Sequence, residues 1–371
     1  MRTGTQVTTS TRVVSELGIL ETDWRRLEAS TSALTAFQTW EWVEAWWRTL
    51  GRRRPVHVVA VRRDEEVVAM TVLHPTRIGA GPVSFELFTP LGQDHADEAL
   101  FVLGDVHDGG PRILEALGGL VAGGRRVVNL PRLREGGADH ALASGGPRTP
   151  SVLVTEEGRA TCPVLRFGTM PDPSREIQLR AKKADVPRLR RRLSEHGALT
   201  VELHTPVAGG FDELLDVYDR RWADRDWEQG LLSSPALRAF AREAATALGA
   251  RDVLWLSTLR LEGRTIAACL GYRVGDAYLY HKPAFDPEFA KFGPGHILLS
   301  EVVAECLATG VQEFNLGRGE GGYKSRWATD AHDLVSFSIA STRMPAAVTR
   351  RLRHAALALR VREHRGGAVR P

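Results

Sequence analysis

Apolar residues recur along the chain at two spacings, and the spacing predicts which segments are helices and which are strands. In the first half, aromatic residues four positions apart predict a helix over residues 20–50 that buries one face, including Trp42 and Trp46. Shorter segments follow it, namely hairpin strands at 55–60 and 67–73, a strand at 85–88, a helix at 111–120 and a strand at 127–130. The first half is therefore predicted to be a mixed α/β layer, in which the tryptophans belong to the core.

The second half predicts a three-stranded meander that leads into a glycine loop and an apolar helix. The segments are strands at 253–261, 265–274 and 277–282, a helix at 296–308 and a short strand that begins at Gln312. Gly293 and Gly295 directly precede that helix, and Lys291 adds a positive charge. Because the first turn of a helix leaves N–H groups unpaired and attracts anions, this loop predicts a phosphate site, although Pro294 removes one donor.

A basic segment separates the two halves and is predicted to be one helix over residues 175–197. Between Glu176 and His196 there are seven basic residues and three acidic ones, the basic set being Arg180, Lys182, Lys183, Arg188, Arg190, Arg191 and Arg192. Leu189 and Leu193 keep the spacing of a packed helix, so the charges form its outer face. That face is either merely solvated or a surface for phosphates, of a coenzyme or of RNA.

Length, composition and charge limit the classes of protein that fit. A chain of 371 residues favours two domains. No apolar run approaches the roughly 20 residues of a membrane span, and the N-terminus lacks the apolar core of a secretory signal. Three scattered cysteines and histidines without ligand spacing predict neither disulfides nor a metal, and they favour the reducing cytoplasm. The net charge of +4 suits a polyanionic ligand.

Residues 312–327 combine a short strand, a glycine-rich turn and a set of polar side chains. Glu320, Tyr323 and Lys324 supply an acid, a phenol and an ammonium, and Arg318 and Arg326 add two guanidinium groups. Groups that can act as acid, base or electrostatic clamp at such a corner are what a reaction centre needs. The alternative is an ordinary glycine turn with solvated charges.

Several of these segments together resemble the GNAT superfamily of acyl-CoA-dependent N-acyltransferases, in particular its CelD/BcsL-like branch, which is similar to the Fem aminoacyl transferases. The resemblance rests on the Arg-rich run 188–192, the hairpin 262–268, Tyr280 with 285–287, the loop 293–295, the run 314–320 leading to Tyr323 and Lys324, and the aromatic segment 37–47. It implies an α/β (α+β) fold of two tandem GNAT-like domains with mixed, mostly antiparallel sheets flanked by helices. The implied domains are 1–165, a degenerate N-terminal copy, 166–345, the catalytic copy, and 346–371, a basic helical tail.

The resemblance also implies a reaction, in which an amine attacks the thioester of acetyl-CoA or another acyl-CoA. A splayed strand would supply a backbone N–H to polarise the carbonyl. Glu320 is the candidate base or amine anchor, Tyr323 the acid for the thiolate, Lys324 a charge neutraliser, His281 the alternative base, and Asp286 a group that orients the amine. The residues expected to contact the coenzyme are Lys291, Phe292, Gly293, Gly295, His296, Arg318 and Arg326.

Two other functions fit the same residues. A Fem-like enzyme would take an aminoacyl group from tRNA, which the basic segment and the arginines of the C-terminal tail would bind. An inactive scaffold or ligand sensor would keep the fold without the reaction. The amine acceptor, a small molecule or a peptide, is open at this stage, as are the acyl chain length and the oligomeric state.

Overall fold

The computed structural model describes residues 6–81, 84–147, 149–223, 232, 234–319 and 321–344. The strands are β1 (Val7–Val14), β2 (Val56–Arg63), β3 (Glu66–Ile78), β4 (Phe85–Pro90), β5 (Leu103–Gly104), β6 (Arg126–Arg134), β7 (Val152–Arg166), β8 (Leu199–Glu202), β9 (Leu254–Leu261), β10 (Arg264–Val274), β11 (Ala277–Phe285), β12 (Glu313–Asn315) and β13 (Asp330–Ser341). The helices are α1 (Glu21–Ser30), α2 (Trp40–Arg48), α3 (Gly110–Val121), α4 (Ala138–Gly145), α5 (Pro173–Lys183), α6 (Val186–Ser194), α7 (Val207–Trp222), α8 (Pro235–Gly249), α9 (Pro294–Ala308) and α10 (Lys324–Trp327). Together they form two compact units, and the first contains the described residues up to 160 and from 333, the second residues 161–332.

The first unit is built on a sheet with the strand order β1-β2-β3-β4-β6-β13-β7, and β5 pairs with β3. The neighbours β1/β2, β2/β3 and β3/β4 are antiparallel, β4/β6 is parallel, and β6/β13 is antiparallel. Its core contains Phe88, Ile113, Leu117, Val128 and Phe337, which are buried together. Because strand side chains alternate between faces, the β-branched runs seen in the sequence place their apolar residues against α3.

The second unit has the strand order β7-β12-β11-β10-β9-β8. The pairs β8/β9, β9/β10 and β10/β11 are antiparallel, β11/β12 is parallel, and β12/β7 is antiparallel. Apolar residues of α9, such as Ile297, Leu298 and Val302, are buried with Tyr278 and Phe314 of the sheet. The apolar run at 296–308 is therefore a helix packed on the sheet, as its periodicity predicts.

The same succession of elements occurs in both units. Each has a strand, two helices, a three-stranded antiparallel meander, a helix and a strand parallel to the last meander strand. Each sheet then continues with an antiparallel strand from the other half of the chain, β13 in the first unit and the end of β7 in the second. The predicted class, α/β with mostly antiparallel strands flanked by helices, is confirmed, whereas the domain boundaries at 165 and 345 stay a prediction.

Two predicted helices are interrupted. The helix expected over residues 20–50 is α1 and α2, separated by a short turn in which Thr35 and Gln38 form a capping box. The basic helix expected over 175–197 is α5 and α6, because Asp185 adopts a left-handed conformation (φ 62°) and Pro187 lies in the first turn of α6. The tryptophans of α2 are buried, so their assignment to the core is confirmed.

Neither a membrane crossing nor a metal cluster is found in the described ranges. No helix there is both long and apolar enough to cross a bilayer. Those residues also contain no group of three His, Cys, Asp or Glu side chains that could hold a metal ion.

Candidate active site

The parallel strands β11 and β12 separate after only three paired positions. Ala277–Leu279 pair with Glu313–Asn315, where β12 ends, whereas β11 continues to Phe285. The chain after β12 stays beside β7, since the Leu316 N–H donates to the Pro163 carbonyl at 3.0 Å. An opening therefore lies beyond Leu279, and the β11 edge that faces it has no partner strand among the described residues. Such an edge offers backbone donors and acceptors to an extended ligand.

A β-bulge lies in β11 beside this opening. The register with β10 shifts between Leu270/His281 and Ala268/Ala284, so that Lys282 and Pro283 together oppose one residue. Lys282 has a φ of 45°, which is uncommon for a residue other than glycine. Bulges bend a strand and change the direction of its side chains, and proline removes one ladder donor. The bulge therefore bends β11 where the opening begins.

The glycine loop joins a 3-10 helix, Pro287–Phe292, to α9. Gly293 has a φ of 58°, and a Cβ there would lie 2.8 Å from the Leu189 side chain, so glycine is required. The His296 N–H donates to the Gly293 carbonyl at 2.9 Å, and Pro294 has no N–H. In the first turn of α9 this leaves the Gly295 N–H, which has no partner among the described residues. The loop therefore offers an anion one backbone N–H rather than the full set of first-turn N–H groups.

His296 and Tyr323 lie together at the start of α9. Their rings are 6.2 Å apart between centroids and nearly perpendicular. The Nδ1 of His296 is buried and has no hydrogen-bond partner in the described part of the chain. Burial, with a contribution from the Arg326 charge, lowers the pKa of His296, so its ring is neutral at pH 7. Burial raises the pKa of Tyr323 well above that of a free phenol, although the residue stays partly exposed.

Tyr280 and His281 follow each other in β11 and therefore point to opposite faces of the sheet. The Tyr280 phenol hydrogen-bonds the Cys269 thiol, and Tyr323 adds to the upward shift in the pKa of Tyr280 that burial causes. The His281 ring is buried on the other face, 5.3 Å from the ring of Tyr272. The structure thus brings Tyr323, His296 and Tyr280 together, and places His281 beside the same opening across the sheet.

Lys324 fastens the glycine-rich turn. Its Nζ donates to the carbonyls of Gly317 at 3.0 Å and Arg318 at 2.6 Å. The Asn315 side chain accepts the Gly317 N–H at 2.8 Å. Gly317 and Gly319 have positive φ angles of 75° and 89°, which the turn requires. These contacts favour a structural role for Lys324, and charge neutralisation by it stays a prediction. The predicted base Glu320 lies outside the described residues.

Asp286 is buried and lies between two arginines. Its carboxylate is 2.7 Å from Arg220 Nε and 2.6 Å from an Arg264 terminal nitrogen. It also accepts the Glu288 N–H at 3.1 Å, which caps the 3-10 helix that leads to the glycine loop. These contacts favour a positioning role for Asp286, and orientation of an amine by it stays a prediction.

The other residues expected to contact a coenzyme lie around the same loop. Lys291 is exposed beside the buried ring of Phe292, and its Nζ is 5.0 Å from the ring centroid. Arg326 is exposed, and Arg318 is half-buried in the turn that Lys324 holds. The coenzyme contacts themselves stay predictions.

Sequence reasoning gave no separate role to two residues that position the site. Arg180, counted only as one of the basic residues, donates to the carbonyls of Trp327 at 2.9 Å and Ala328 at 3.0 Å and so holds the end of α10. Asn315 closes the turn onto Gly317. The spacing of Asn315 and Gly317 was a usable signal, since an Asn side chain often bonds the N–H two residues on. Arg180 gave no such signal, because its partners are distant in sequence.

Comparison with known proteins agrees with this geometry. Residues 180–325 match the family model described as Acetyltransferase (GNAT) domain. This stretch contains the meander, the opening, the glycine loop and Tyr323, so the match covers the candidate site. The resemblance seen in the sequence is confirmed at the level of the superfamily. A comparison with curated proteins finds no match.

Solved structures share the fold over most of the chain. One is the C-terminal domain of an Agrobacterium fabrum protein assigned to the lysylphosphatidylglycerol synthetases (12% identity, 91% of this chain and 96% of that one, TM-score 0.55). A Bacteroides thetaiotaomicron protein of unknown function is similar (12% identity, 90% of this chain and 100% of that one, TM-score 0.56). FemX is similar as well (12% identity, 87% of this chain and 96% of that one, TM-score 0.53). At this identity the likeness concerns the fold alone.

Proposed function

We propose that the protein is an N-acyltransferase that moves an acyl group from acyl-CoA to the amine of a small molecule or a peptide. The observation that carries the proposal is the opening after Leu279, which lies beside the glycine loop at the start of α9. Beyond Leu279, the edge of β11 has no partner strand in the described part of the chain, so it suits the amide groups of the pantetheine arm, which can pair with it as an added strand does. The Gly295 N–H and the α9 dipole suit the pyrophosphate.

In the proposed reaction, the amine nitrogen attacks the carbonyl carbon of the thioester. A C–N bond forms, the C–S bond breaks, one proton leaves the amine and the sulfur gains one. A backbone N–H at the bulged edge of β11 polarises the carbonyl oxygen, on which negative charge develops. The bulge at Lys282 supports this role, because it redirects backbone groups at the opening.

A thioester in the opening is accessible from both faces of the sheet. The base that we propose for the amine proton is His281 on one face, and the group that we propose to donate a hydrogen bond to the leaving sulfur is Tyr323 on the other. Because burial raises the pKa of Tyr323, its phenol stays protonated throughout the neutral range. Stabilisation of the thiolate by a hydrogen bond is therefore the role we propose for Tyr323. Glu320 remains the other candidate for the base.

A tRNA-dependent aminoacyl transfer is the second candidate, favoured by the similarity in fold to FemX. The basic residues between the two halves support it less than their number suggests. Arg180 is bonded to backbone carbonyls, and Arg188 and Arg190 are paired with carboxylates. We also propose a cytoplasmic location, because the three cysteines are buried thiols that form no disulfide among the described residues.

Calorimetric titration with acetyl-CoA, longer acyl-CoAs and aminoacyl-tRNA, each at low and moderate salt, tests the proposal. We expect saturable binding of an acyl-CoA with a shallow dependence on salt, since a coenzyme carries few phosphates. Binding of aminoacyl-tRNA with a steep dependence on salt, and of no acyl-CoA, would overturn it. His281→Gln and Glu320→Gln variants then identify the base, because the variant that loses turnover but still binds donor lacks it.

A further inference from the structure

Three basic side chains from two elements meet at the ring of Phe292. The guanidinium carbon of Arg192 on α6 is 5.6 Å from the ring centroid, and Lys291 Nζ is 5.0 Å from it. The ring of His196, just beyond α6, lies 4.8 Å from the same ring. The face of an aromatic ring attracts a cation, but a single ring does little to offset two positive charges. We refer to Arg192, His196 and Lys291 as the Phe292 cluster.

The nearest acid that acts on this cluster, Asp185, forms its ion pair with Arg188 and affects Arg192 only at longer range. Among the described residues, neither Arg192 nor Lys291 forms an ion pair, whereas Arg188 and Arg190 on the same helix each pair with an acid. Like charges held near one ring repel each other, and a bound anion offsets that repulsion. The Phe292 cluster therefore has the electrostatics of a site for an anion.

The cluster lies next to a loop that leaves part of a ligand's charge uncompensated. Phe292 directly precedes Gly293, and the first turn of α9 offers one unpartnered amide in the described protein, that of Gly295. Coenzyme A carries three phosphorus groups, two in the pyrophosphate and one as the 3′-phosphomonoester of the ribose. One amide and a helix dipole suit the pyrophosphate, so the phosphomonoester needs positive side chains of its own.

We propose that the Phe292 cluster binds the 3′-phosphate of the coenzyme, an assignment that rests on the acyl-CoA-dependent function proposed above. The arrangement favours a phosphomonoester over an RNA backbone for a geometric reason. A strand of RNA presents phosphates in a row and needs charges spread along a surface. On α5 and α6, Arg180, Arg188 and Arg190 are held by internal partners. Arg192 instead lies at the Phe292 ring, where Lys291 adds a second positive charge at the same point.

The test compares coenzyme A with dephospho-coenzyme A, which lacks only the 3′-phosphate, by calorimetry on the full chain. The variants are Arg192→Gln and Lys291→Gln, and the matched control is Arg191→Gln, an exposed arginine of the same helix outside the cluster. We expect the wild type to bind coenzyme A about ten-fold more tightly than the dephospho form. Each cluster variant should lose about three- to ten-fold in affinity for coenzyme A and nothing for the dephospho form, as one charge-assisted contact implies. The control should match the wild type.

Equal affinity of the wild type for both ligands would overturn the assignment, and so would an equal loss for both ligands in the cluster variants. Thermal unfolding of each variant identifies a folding defect, and the conservative Arg192→Lys and Lys291→Arg variants then test the charges in a folded protein. Failure of the proposed function gives a different result, because the wild type would then bind neither ligand. Loss of tRNA binding in all three glutamine variants alike would overturn the cluster in favour of an RNA surface.

Discussion

Removal of the Asp286 carboxylate should destabilise the second unit more than removal of its exposed neighbour Glu288. Asp286 is buried between Arg220 and Arg264 and caps the 3-10 helix before the glycine loop. In Asp286→Ala the two guanidinium groups lose their shared counter-ion, and the helix loses its cap. The carboxylate of Glu288 also contacts Arg264, at 2.9 Å, but its side chain is 63% exposed.

The magnitude follows from the exposure of the surviving charges. Breaking a buried ion pair costs about 3–5 kcal/mol when the remaining charge stays buried. The side chains of Arg220 and Arg264 are 38% and 48% exposed, so water can reach them and the loss lies at or below the lower limit. Loss of the cap adds about 1 kcal/mol. We expect about 3 kcal/mol for Asp286→Ala, about 2 kcal/mol for Asp286→Asn, which keeps a cap acceptor, and under about 1 kcal/mol for Glu288→Gln.

Urea unfolding of the three variants and the wild type, followed by circular dichroism, measures these differences. The order Asp286→Ala, Asp286→Asn, Glu288→Gln, from largest loss to smallest, is the expected outcome. We also expect Asp286→Ala to weaken acyl-CoA binding, because the capped helix leads directly to Gly293. A loss for Asp286→Ala no larger than that for Glu288→Gln would refute the argument, since the buried carboxylate would then hold nothing in place.

Three further predictions use other contacts. Gly271→Ala should unfold the second unit or destabilise it by several kcal/mol, because the new Cβ would lie 1.7 Å from the Tyr278 hydroxyl. Gly119→Ala in α3 should instead stabilise the protein by about 0.5–1 kcal/mol, because no atom lies within 4 Å of the new Cβ. Lys324→Met should cost about 1–2 kcal/mol and lower turnover, because the carbonyls of the glycine turn lose their donor. Burial raises the pKa of Asp139 to about 6, so the wild type loses stability as pH rises from about 4 to 6. Asp139→Asn should abolish this loss. Over that pH interval, the free energy of unfolding of the variant relative to that of the wild type should therefore rise by about 3 kcal/mol.

Each of these predictions has a control and a contradicting outcome. For the glycines, equal effects of the two alanine substitutions on thermal unfolding would contradict the contact geometry. For Lys324, the exposed Lys182→Met serves as the control, and equal turnover in both variants would exclude a role for the turn. For Asp139, the exposed Asp108→Asn is the control, and parallel pH–stability curves for Asp139→Asn and the wild type would show that the carboxyl does not titrate as stated.

Most elements could be predicted from the sequence, because each depends on local spacing. The meander β9-β10-β11, the helix α9 and the strand β12 follow from β-branched runs, tight turns and apolar periodicity. The break between α5 and α6 was missed although Pro187 is visible in the sequence, since the charge pattern on both sides looks continuous. The placement of β13 in the first unit and of the end of β7 in the second could not be predicted, because strand pairing between distant segments leaves no local signal.

For the candidate site, the sequence indicates individual residues but not their arrangement. Tyr323 and His296 are visible as candidates because each follows a glycine turn, and their rings lie close together, but their roles stay predictions. The partners of Asp286 were not predictable, since Arg220 and Arg264 lie 66 and 22 residues away in sequence and ion pairs have no periodicity. The opening itself depends on where β12 ends relative to β11, which only the register shows.

Amide hydrogen exchange with and without acetyl-CoA tests the central claim, that the donor lies along the β11 edge beyond Leu279 and on the first turn of α9. Amides without a partner exchange fast, and a ligand that pairs with them slows the exchange. We expect acetyl-CoA to slow exchange in peptides that cover residues 280–285 and 293–297, and to leave the β2-β3 hairpin of the first unit unchanged. Protection confined to the first unit, or saturable binding without any slowing in those two segments, would contradict the account.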